Sequence, residues 1–151
     1  GGIATGKSTV SAHLKQLGAP IIDADLIALQ ILRKGSPAYT KVLNVFRDFP
    51  EILLEDGEIN RPYLRKLIFS NRDLNRRLKQ CTHIHIAREM LAQICYHSVW
   101  KGSPVVVLDA PLLFESKANL LCKYVVVVDC PDHVQLARLM ARDGVLEEEA
   151  R

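Results

Sequence analysis

The N-terminal segment GGIATGKSTV constrains the fold more than any other stretch of this 151-residue chain. Gly1 is followed after four residues by Gly6, Lys7 and Ser8, a spacing that fits the phosphate-binding P-loop pattern G-x-x-x-x-G-K-[ST]. In such a loop the glycines let successive backbone N–H groups point at phosphate oxygens, and the following helix adds a favourable dipole. We therefore expect nucleotide contacts from Gly1, Gly2, Ile3, Ala4, Thr5, Gly6, Lys7, Ser8 and Thr9.

The motif predicts specific roles for two side chains of this loop. Lys7 is expected to reach the β- and γ-phosphates of a bound nucleotide, and the Ser8 hydroxyl to ligate Mg²⁺. The alternative is a chance glycine-rich turn in front of a helix. The helical pattern that follows and the β-rich segments downstream favour the P-loop.

Composition excludes several other classes of protein. The chain is 48% hydrophobic and 25% charged, as in an ordinary globular domain, and its length fits one domain. No apolar run approaches the roughly 20 residues that span a bilayer. A net charge of +3 is too small to indicate nucleic-acid binding, and a small anionic ligand explains it equally well. The four cysteines form no C-x-x-C pair, which predicts free, buried thiols.

The hydrophobic pattern predicts strands that alternate with helices. We expect helices over Lys7 to Leu17, Ala24 to Lys34, Ala38 to Phe49, Asn71 to Trp100 and Pro131 to Gly144, with one more that Asn60 caps. "APIID", "VVVLDAPLLF" and "KYVVVVDC" are predicted strands, and the last two are β-branched runs typical of a buried parallel sheet. The fold class is therefore α/β, a parallel sheet flanked by helices. Residues 36–100 are predicted to be a helical insert.

Three aspartates follow predicted strands, at the sheet edge where open α/β folds bind ligands. If Asp23 and Asp25 are both extended, they share one face, so that one carboxylate faces an acceptor hydroxyl and the other orients a neighbour or binds metal. The alternative for each is a helix cap. Asp109 ends "VVVLD" and is either an acid that holds Mg²⁺ or a turn residue before Pro111.

Missing motifs narrow the class of P-loop protein. The chain has neither the N-K-x-D and D-x-x-G motifs of GTPases nor the L-S-G-G-Q signature of ABC-type ATPases, which leaves the small-molecule kinases. Arg138 and Arg142 lie four residues apart on one helix face, where a lid would bring them over the transferred phosphoryl group. The alternative is a solvated basic face. His83 is a candidate substrate contact, with a core histidine as the alternative.

The ordered segments "GGIATGKSTV", "IIDADLIA", "INRPYLRKLIF", "THIHI", "LDAPLLFE" and "QLARLMARDG" resemble the dephospho-CoA kinase family over essentially the whole chain. The resemblance implies a P-loop kinase fold and transfer of the ATP γ-phosphoryl group to the ribose 3′-hydroxyl of dephospho-CoA, the last step of coenzyme A synthesis. ATP and Mg²⁺ are the implied cofactors. No nucleic-acid partner is expected.

The resemblance also implies roles for individual residues. Lys7, Asp25 and Arg138 would be catalytic, with Asp25 as the base for the 3′-hydroxyl and Arg142 near the ATP. Residues 36–100 would bind the acceptor, and residues 138–151 would begin the lid. Ser8 and Asp109 are the metal candidates. Acceptor contacts are expected from Asp23, Arg61, Arg65 and His83.

The ends of the chain suggest a fragment of a longer protein. A strand normally precedes a P-loop, so we expect residues upstream of Gly1 and more of the lid after Arg151, and we expect the 151-residue chain by itself to be unstable and inactive. The expected compartment is the cytoplasm, with mitochondria as the alternative. Another small-molecule kinase and a non-catalytic nucleotide-binding module are the competing functions.

Overall fold

A computed structural model describes residues 4–111, 113–114 and 118–143 of the chain. The residues divide into two compact units, which are described separately. Unit 1 comprises residues 1–21 and 103–151, and unit 2 comprises residues 22–102. The chain thus leaves unit 1 after its first helix and returns to it about 80 residues later.

Six α-helices and two strands form the framework of the described residues. The helices are α1 (Lys7–Gln16), α2 (Ala24–Gln30), α3 (Pro37–Val45), α4 (Arg61–Ser70), α5 (Arg72–Cys95) and α6 (Asp132–Asp143). The strands are β1 (Ile21–Asp23) and β2 (Val107–Asp109). Short 3₁₀ helices cover Pro50–Ile52 and Ala118–Leu121, and a π-helical turn covers Tyr96–Trp100.

The two strands pair in a small parallel sheet, which confirms the predicted α/β class. A backbone hydrogen bond from Val107 N to Pro20 O, 2.9 Å long, extends the pairing beyond β1. The strand predicted for "KYVVVVDC" is wrong: residues 124–130 have no strand assignment, and Val126 is 81% exposed. β-Branched residues favour a pleated surface, but a strand forms only beside a hydrogen-bonding neighbour, and the described residues supply none there.

Capping residues fix where several helices begin. Asn60 accepts a hydrogen bond from Tyr63 N at 3.2 Å, as the N-cap prediction requires. Ser36 caps α3 in the same way, and Pro37 takes its first turn. The predicted helix from Ala24 continues only to Gln30, because residues 31–35 form turns that end with Gly35 at a φ of 84°.

The hydrophobic core of unit 2 lies among α3, α4 and α5. Its buried residues are Val42, Phe46, Ile52, Ile59, Leu64 and Leu74. Phe46 is fully buried, and its ring centroid lies 6.3 Å from that of Phe49. This core gives the helical insert an apolar centre of its own.

Helix α5 is the longest element and ends before its predicted limit. Its α-helical geometry stops at Cys95, and the π-helical turn continues to Trp100, which is 81% exposed. No helix among the described residues is long and apolar enough to cross a membrane.

Candidate active site

The backbone before α1 has the shape of an anion-binding loop. Ala4 and Gly6 have positive φ angles of 59° and 100°, and Thr5 between them is buried. A left-handed φ is costly for alanine and easy for glycine, so the loop places its strained position at Ala4. Within the described residues no side chain caps α1, so the first N–H groups of the helix remain for an outside acceptor such as phosphate.

Asp109 is the centre of the polar contacts in unit 1. Its Oδ1 accepts a hydrogen bond from Lys7 Nζ, and its Oδ2 accepts one from Ser11 Oγ at 2.6 Å. The Asp109 side chain is only 10% exposed, and that of Lys7 is 32% exposed. The structure therefore joins the P-loop lysine to the acid at the end of β2.

Arg138 reaches the P-loop from α6. Its Nη1 donates a hydrogen bond to the carbonyl oxygen of Thr5 at 3.2 Å. A Cβ atom added to Gly6 would lie 3.3 Å from the same Nη1, so glycine gives Arg138 room to approach. Of the two arginines predicted for the lid, Arg138 is thus at the loop, whereas the side chain of Arg142 lies outside the described residues.

The oxygen donors near the loop suit Mg²⁺. Ser8 supplies an exposed hydroxyl in the first turn of α1, and Asp109 supplies a carboxylate. Among the described residues there is no group of three or more His, Cys, Asp or Glu side chains that could hold a metal ion. The donors thus fit a cation that takes most of its ligands from nucleotide phosphates and water, as Mg²⁺ usually does.

The acids after β1 are not equivalent. Asp23 is the N-cap of α2, and its Oδ1 accepts a hydrogen bond from Leu26 N at 2.9 Å. Asp25 lies in the first turn of α2 and is exposed. The helix begins between them, so they do not share the face of an extended strand. The capping alternative applies to Asp23, while Asp25 keeps its carboxylate at the surface of unit 2.

Unit 2 contains an open cavity of about 740 Å³, which is lined by residues of α2, α4 and α5 and by Leu32. Leucine, isoleucine and phenylalanine side chains line it, together with the cations Arg61, Arg65 and Lys66. Arg61 Nη2 donates to the carbonyl oxygen of Leu29 at 3.2 Å, which ties α4 to α2. The guanidinium carbon of Arg65 lies 5.7 Å from the Phe69 ring centroid. Two of the four predicted acceptor contacts therefore belong to one cavity.

The two histidines of "THIHI" differ in environment. His83 is exposed on α5, whereas His85 is half-buried and its Nε2 has no hydrogen-bond partner among the described residues. The exposure of His83 is compatible with a ligand contact and argues against a core histidine. The cavity lining does not include His83.

The cysteines are free thiols, as predicted. The expectation that they are buried is wrong, because Cys95 is exposed at the end of α5 and the other three are half-buried. Burial raises the pKa of the Cys81 thiol, and its Sγ contacts the carbonyl oxygen of Leu78.

Some predicted residues fall outside the described part of the chain. These are Gly1, Gly2 and Ile3 of the loop and residues 144–151 of the lid. Conversely, Ser11 is a site residue that the motifs did not indicate. Its position four residues after Lys7 on one helix face was the available signal.

Comparison with solved structures supports the same kind of fold. A crystal structure from Thermus thermophilus matches 98% of this chain and 72% of that chain, with a TM-score of 0.77 and 30% sequence identity. A dephospho-CoA kinase from Campylobacter jejuni matches the same shares at a TM-score of 0.69 and 30% identity. These matches confirm the predicted P-loop kinase fold.

Sequence comparison identifies the family. The dephospho-CoA kinase family model matches residues 1–151. A dephospho-CoA kinase from Bacillus cereus is 45% identical over 150 residues, which is 99% of this chain and 74% of that protein. One from Carboxydothermus hydrogenoformans is 47% identical over 150 residues, 99% of this chain and 71% of that protein. The chain therefore belongs to the dephospho-CoA kinase family.

Proposed function

We propose that this protein transfers the γ-phosphoryl group of ATP to the ribose 3′-hydroxyl of dephospho-CoA, which yields coenzyme A and ADP. The observation that carries the proposal is the convergence of Lys7, Asp109 and Arg138 on one P-loop in a member of this family. Dephospho-CoA kinase relatives at about 45% identity over nearly the whole chain support it.

On the donor side, the protein contributes position and charge rather than covalent chemistry. The N–H groups at the start of α1 hold phosphate oxygens, and Lys7 neutralises the β- and γ-phosphates. Arg138, which already touches Thr5 O, offsets the charge that develops on the transferred group. Each of these groups donates to the phosphates in place of water.

Mg²⁺ is the proposed metal, with Ser8 and Asp109 as the residues that hold it or its water ligands. When bound, Mg²⁺ neutralises charge on the β- and γ-phosphates. The task of the chain is to present the Ser8 hydroxyl and to keep the Asp109 carboxylate oriented. The two donors on Asp109 support that orientation.

On the acceptor side, residues 36–100 are proposed to bind dephospho-CoA. The cavity combines an apolar lining with Arg61, Arg65 and Lys66. Dephospho-CoA carries a diphosphate beside an extended, less polar arm, so both kinds of lining have a counterpart in it. Arginine forks suit the diphosphate. Asp23 and His83 remain proposed acceptor contacts.

Asp25 is proposed as the base that takes the proton of the 3′-hydroxyl. Changing Asp25 to Asn should spare ATP binding and lower turnover by about 100-fold or more, since a general base contributes at least that much. A coupled ADP-release assay measures turnover, and calorimetry measures ATP affinity. Asp48→Asn is the matched control, because Asp48 is an exposed carboxylate whose nearest cation is the adjacent Arg47 at 3.8 Å. Near-normal turnover of Asp25→Asn would reject Asp25 and turn attention to Asp23.

An acceptor panel tests the function as a whole. Because the 151-residue chain by itself is expected to be inactive, the purified full-length parent protein is given Mg²⁺ and ATP with dephospho-CoA, nucleosides or nucleotides, and product formation is followed by mass spectrometry. We expect dephospho-CoA to be phosphorylated fastest. Preference for a nucleoside would indicate another small-molecule kinase, and ATP binding without any transfer would indicate a nucleotide-binding module.

The proposed compartment is the cytoplasm, which fractionation of the source cells would check.

A further inference from the structure

The carboxylate of Asp109 is held by two donors from a single helix. Lys7 and Ser11 are four residues apart in α1, so their side chains emerge from the same face one turn apart. Each takes a different oxygen: Lys7 Nζ binds Oδ1 and Ser11 Oγ binds Oδ2. A carboxylate bound through both oxygens has little freedom to rotate.

The Ser11 contact has the features of a strong hydrogen bond. The 2.6 Å separation of Ser11 Oγ and Asp109 Oδ2 lies in the range typical of a hydroxyl that donates to an ionised carboxylate. Asp109 is also largely shielded from water, with 10% of its side chain exposed. Because little water reaches Asp109, water would replace a lost hydrogen-bond donor poorly.

The two donors differ in what else they are needed for. Under the proposed function, Lys7 leaves Asp109 to bind the β- and γ-phosphates when ATP arrives. Its long, flexible stem allows that change. Ser11 has one side-chain torsion and is fixed by the helix backbone, so it stays beside Oδ2.

We infer that Ser11 is a positioning residue that keeps the Asp109 carboxylate oriented after Lys7 has turned to the nucleotide phosphates. The inference rests on the proposed function. Ser11 remains on Oδ2, and Oδ1, once released by Lys7, becomes the oxygen that is available to Mg²⁺ or to its bound water. Ser11 itself touches neither nucleotide nor acceptor in this role.

Ser11→Ala tests the inference through turnover and through metal-dependent binding. We expect kcat to fall about tenfold, equivalent to about 1.4 kcal/mol, while KM for dephospho-CoA changes less than about twofold. Affinity for ATP should fall several-fold with Mg²⁺ present and stay unchanged in EDTA. Ser11→Thr, which keeps the hydroxyl, should restore most of both properties. A merely structural serine would not produce this metal-dependent difference.

Two controls separate this role from a loss of stability. Ser98→Ala removes a hydroxyl that donates a hydrogen bond of the same length, 2.6 Å, to Ile94 O, but Ser98 lies in the π-helical turn Tyr96–Trp100. We expect Ser98→Ala to leave kcat unchanged, and also the affinity for ATP, both with Mg²⁺ and in EDTA. In an Asp109→Ala background, Ser11→Ala should cause no further loss of Mg²⁺-dependent affinity, because its partner is gone.

Three results of these measurements would overturn the inference. Wild-type kcat and Mg²⁺-dependent affinity in Ser11→Ala would overturn the inference. So would an equal loss in the Asp109→Ala background, or a loss of ATP affinity that is the same in EDTA. If Ser11→Ala does not fold, Ser11→Thr and Ser11→Cys carry the same comparison, since cysteine is a weak donor. The ATP affinities need no acceptor, so failure of the proposed acceptor leaves this test intact.

Discussion

One carboxylate oxygen of Asp23 accepts a hydrogen bond from Leu26 N, whereas Asp25 is exposed in the first turn of α2. The two acids lie two residues apart, and in an extended strand that spacing would put them on one face. Here β1 ends at Asp23 and α2 starts at Ala24, so the change of period separates them. The element boundary between the two acids thus gives them different local surroundings.

The reactivity of two cysteines tests the burial assigned to individual residues. Burial raises the pKa of the Cys81 thiol, so at a given pH less of it is thiolate, the form that reacts. Cys95 is exposed. We expect iodoacetamide at mildly alkaline pH to modify Cys95 first, and Cys81 to gain reactivity only as the pH rises further or the protein unfolds. Peptide mass spectrometry at timed quenches reads both sites, and equal rates in the folded protein would contradict the assigned burial.

Sequence predicted the residues of the site unevenly, for physical reasons. The P-loop residues follow from local spacing, since a phosphate needs a fixed run of backbone N–H groups. Ser11 could not be predicted from local spacing, because its function depends on Asp109, which is 98 residues away in the chain. No short motif records a partner at such a separation. The placement of Arg138 against Thr5 O supports its predicted role at the donor site.

At the scale of elements, helix α5 depends on its N-cap. Asn71 accepts hydrogen bonds from Asp73 N at 2.9 Å and Leu74 N at 3.1 Å. Asn71→Ala removes both, and we expect a loss of about 0.5–2 kcal/mol in the free energy of unfolding. Urea unfolding followed by circular dichroism measures it. Asn44→Ala, at an exposed position of α3, is the control, and equal effects of the two changes would disprove the capping role.

Helices were easier to predict than strands. Every predicted helix exists, because the three- and four-residue periodicity and the caps are local properties of the sequence. The valine run at 125–128 has strand composition without a strand, since pairing depends on a distant neighbour. The same difference explains the end of α2, where turn geometry around Gly35 overrode an apolar run that continued to Lys34.

For the whole molecule, the donor site is assembled from segments that are far apart in the chain. Lys7 and Asp109 are separated by 102 residues, and Thr5 and Arg138 by 133. Most of that separation is unit 2, residues 22–102, which has its own core. The contacts of Lys7 and Thr5 are therefore long-range in sequence and are made within unit 1.

Two phenylalanine substitutions test the hydrophobic core assigned to unit 2. Phe46 is fully buried in it, whereas Phe69 is 76% exposed on α4. We expect Phe46→Ala to lower the free energy of unfolding by about 3–5 kcal/mol, because it leaves a cavity that the core fills only partly. Phe69→Ala should cost less than about 1 kcal/mol. Urea denaturation gives both values, and similar losses would contradict the assigned core.

The exposed indole of Trp100 has a practical consequence. It is the single tryptophan of the sequence, and it lies at the end of the π-helical turn, three residues before the chain re-enters unit 1 at Ser103. Intrinsic fluorescence excited at the indole band therefore reports from one known position. Collisional quenching by iodide, with and without ATP or dephospho-CoA, measures the exposure of this one indole without a label.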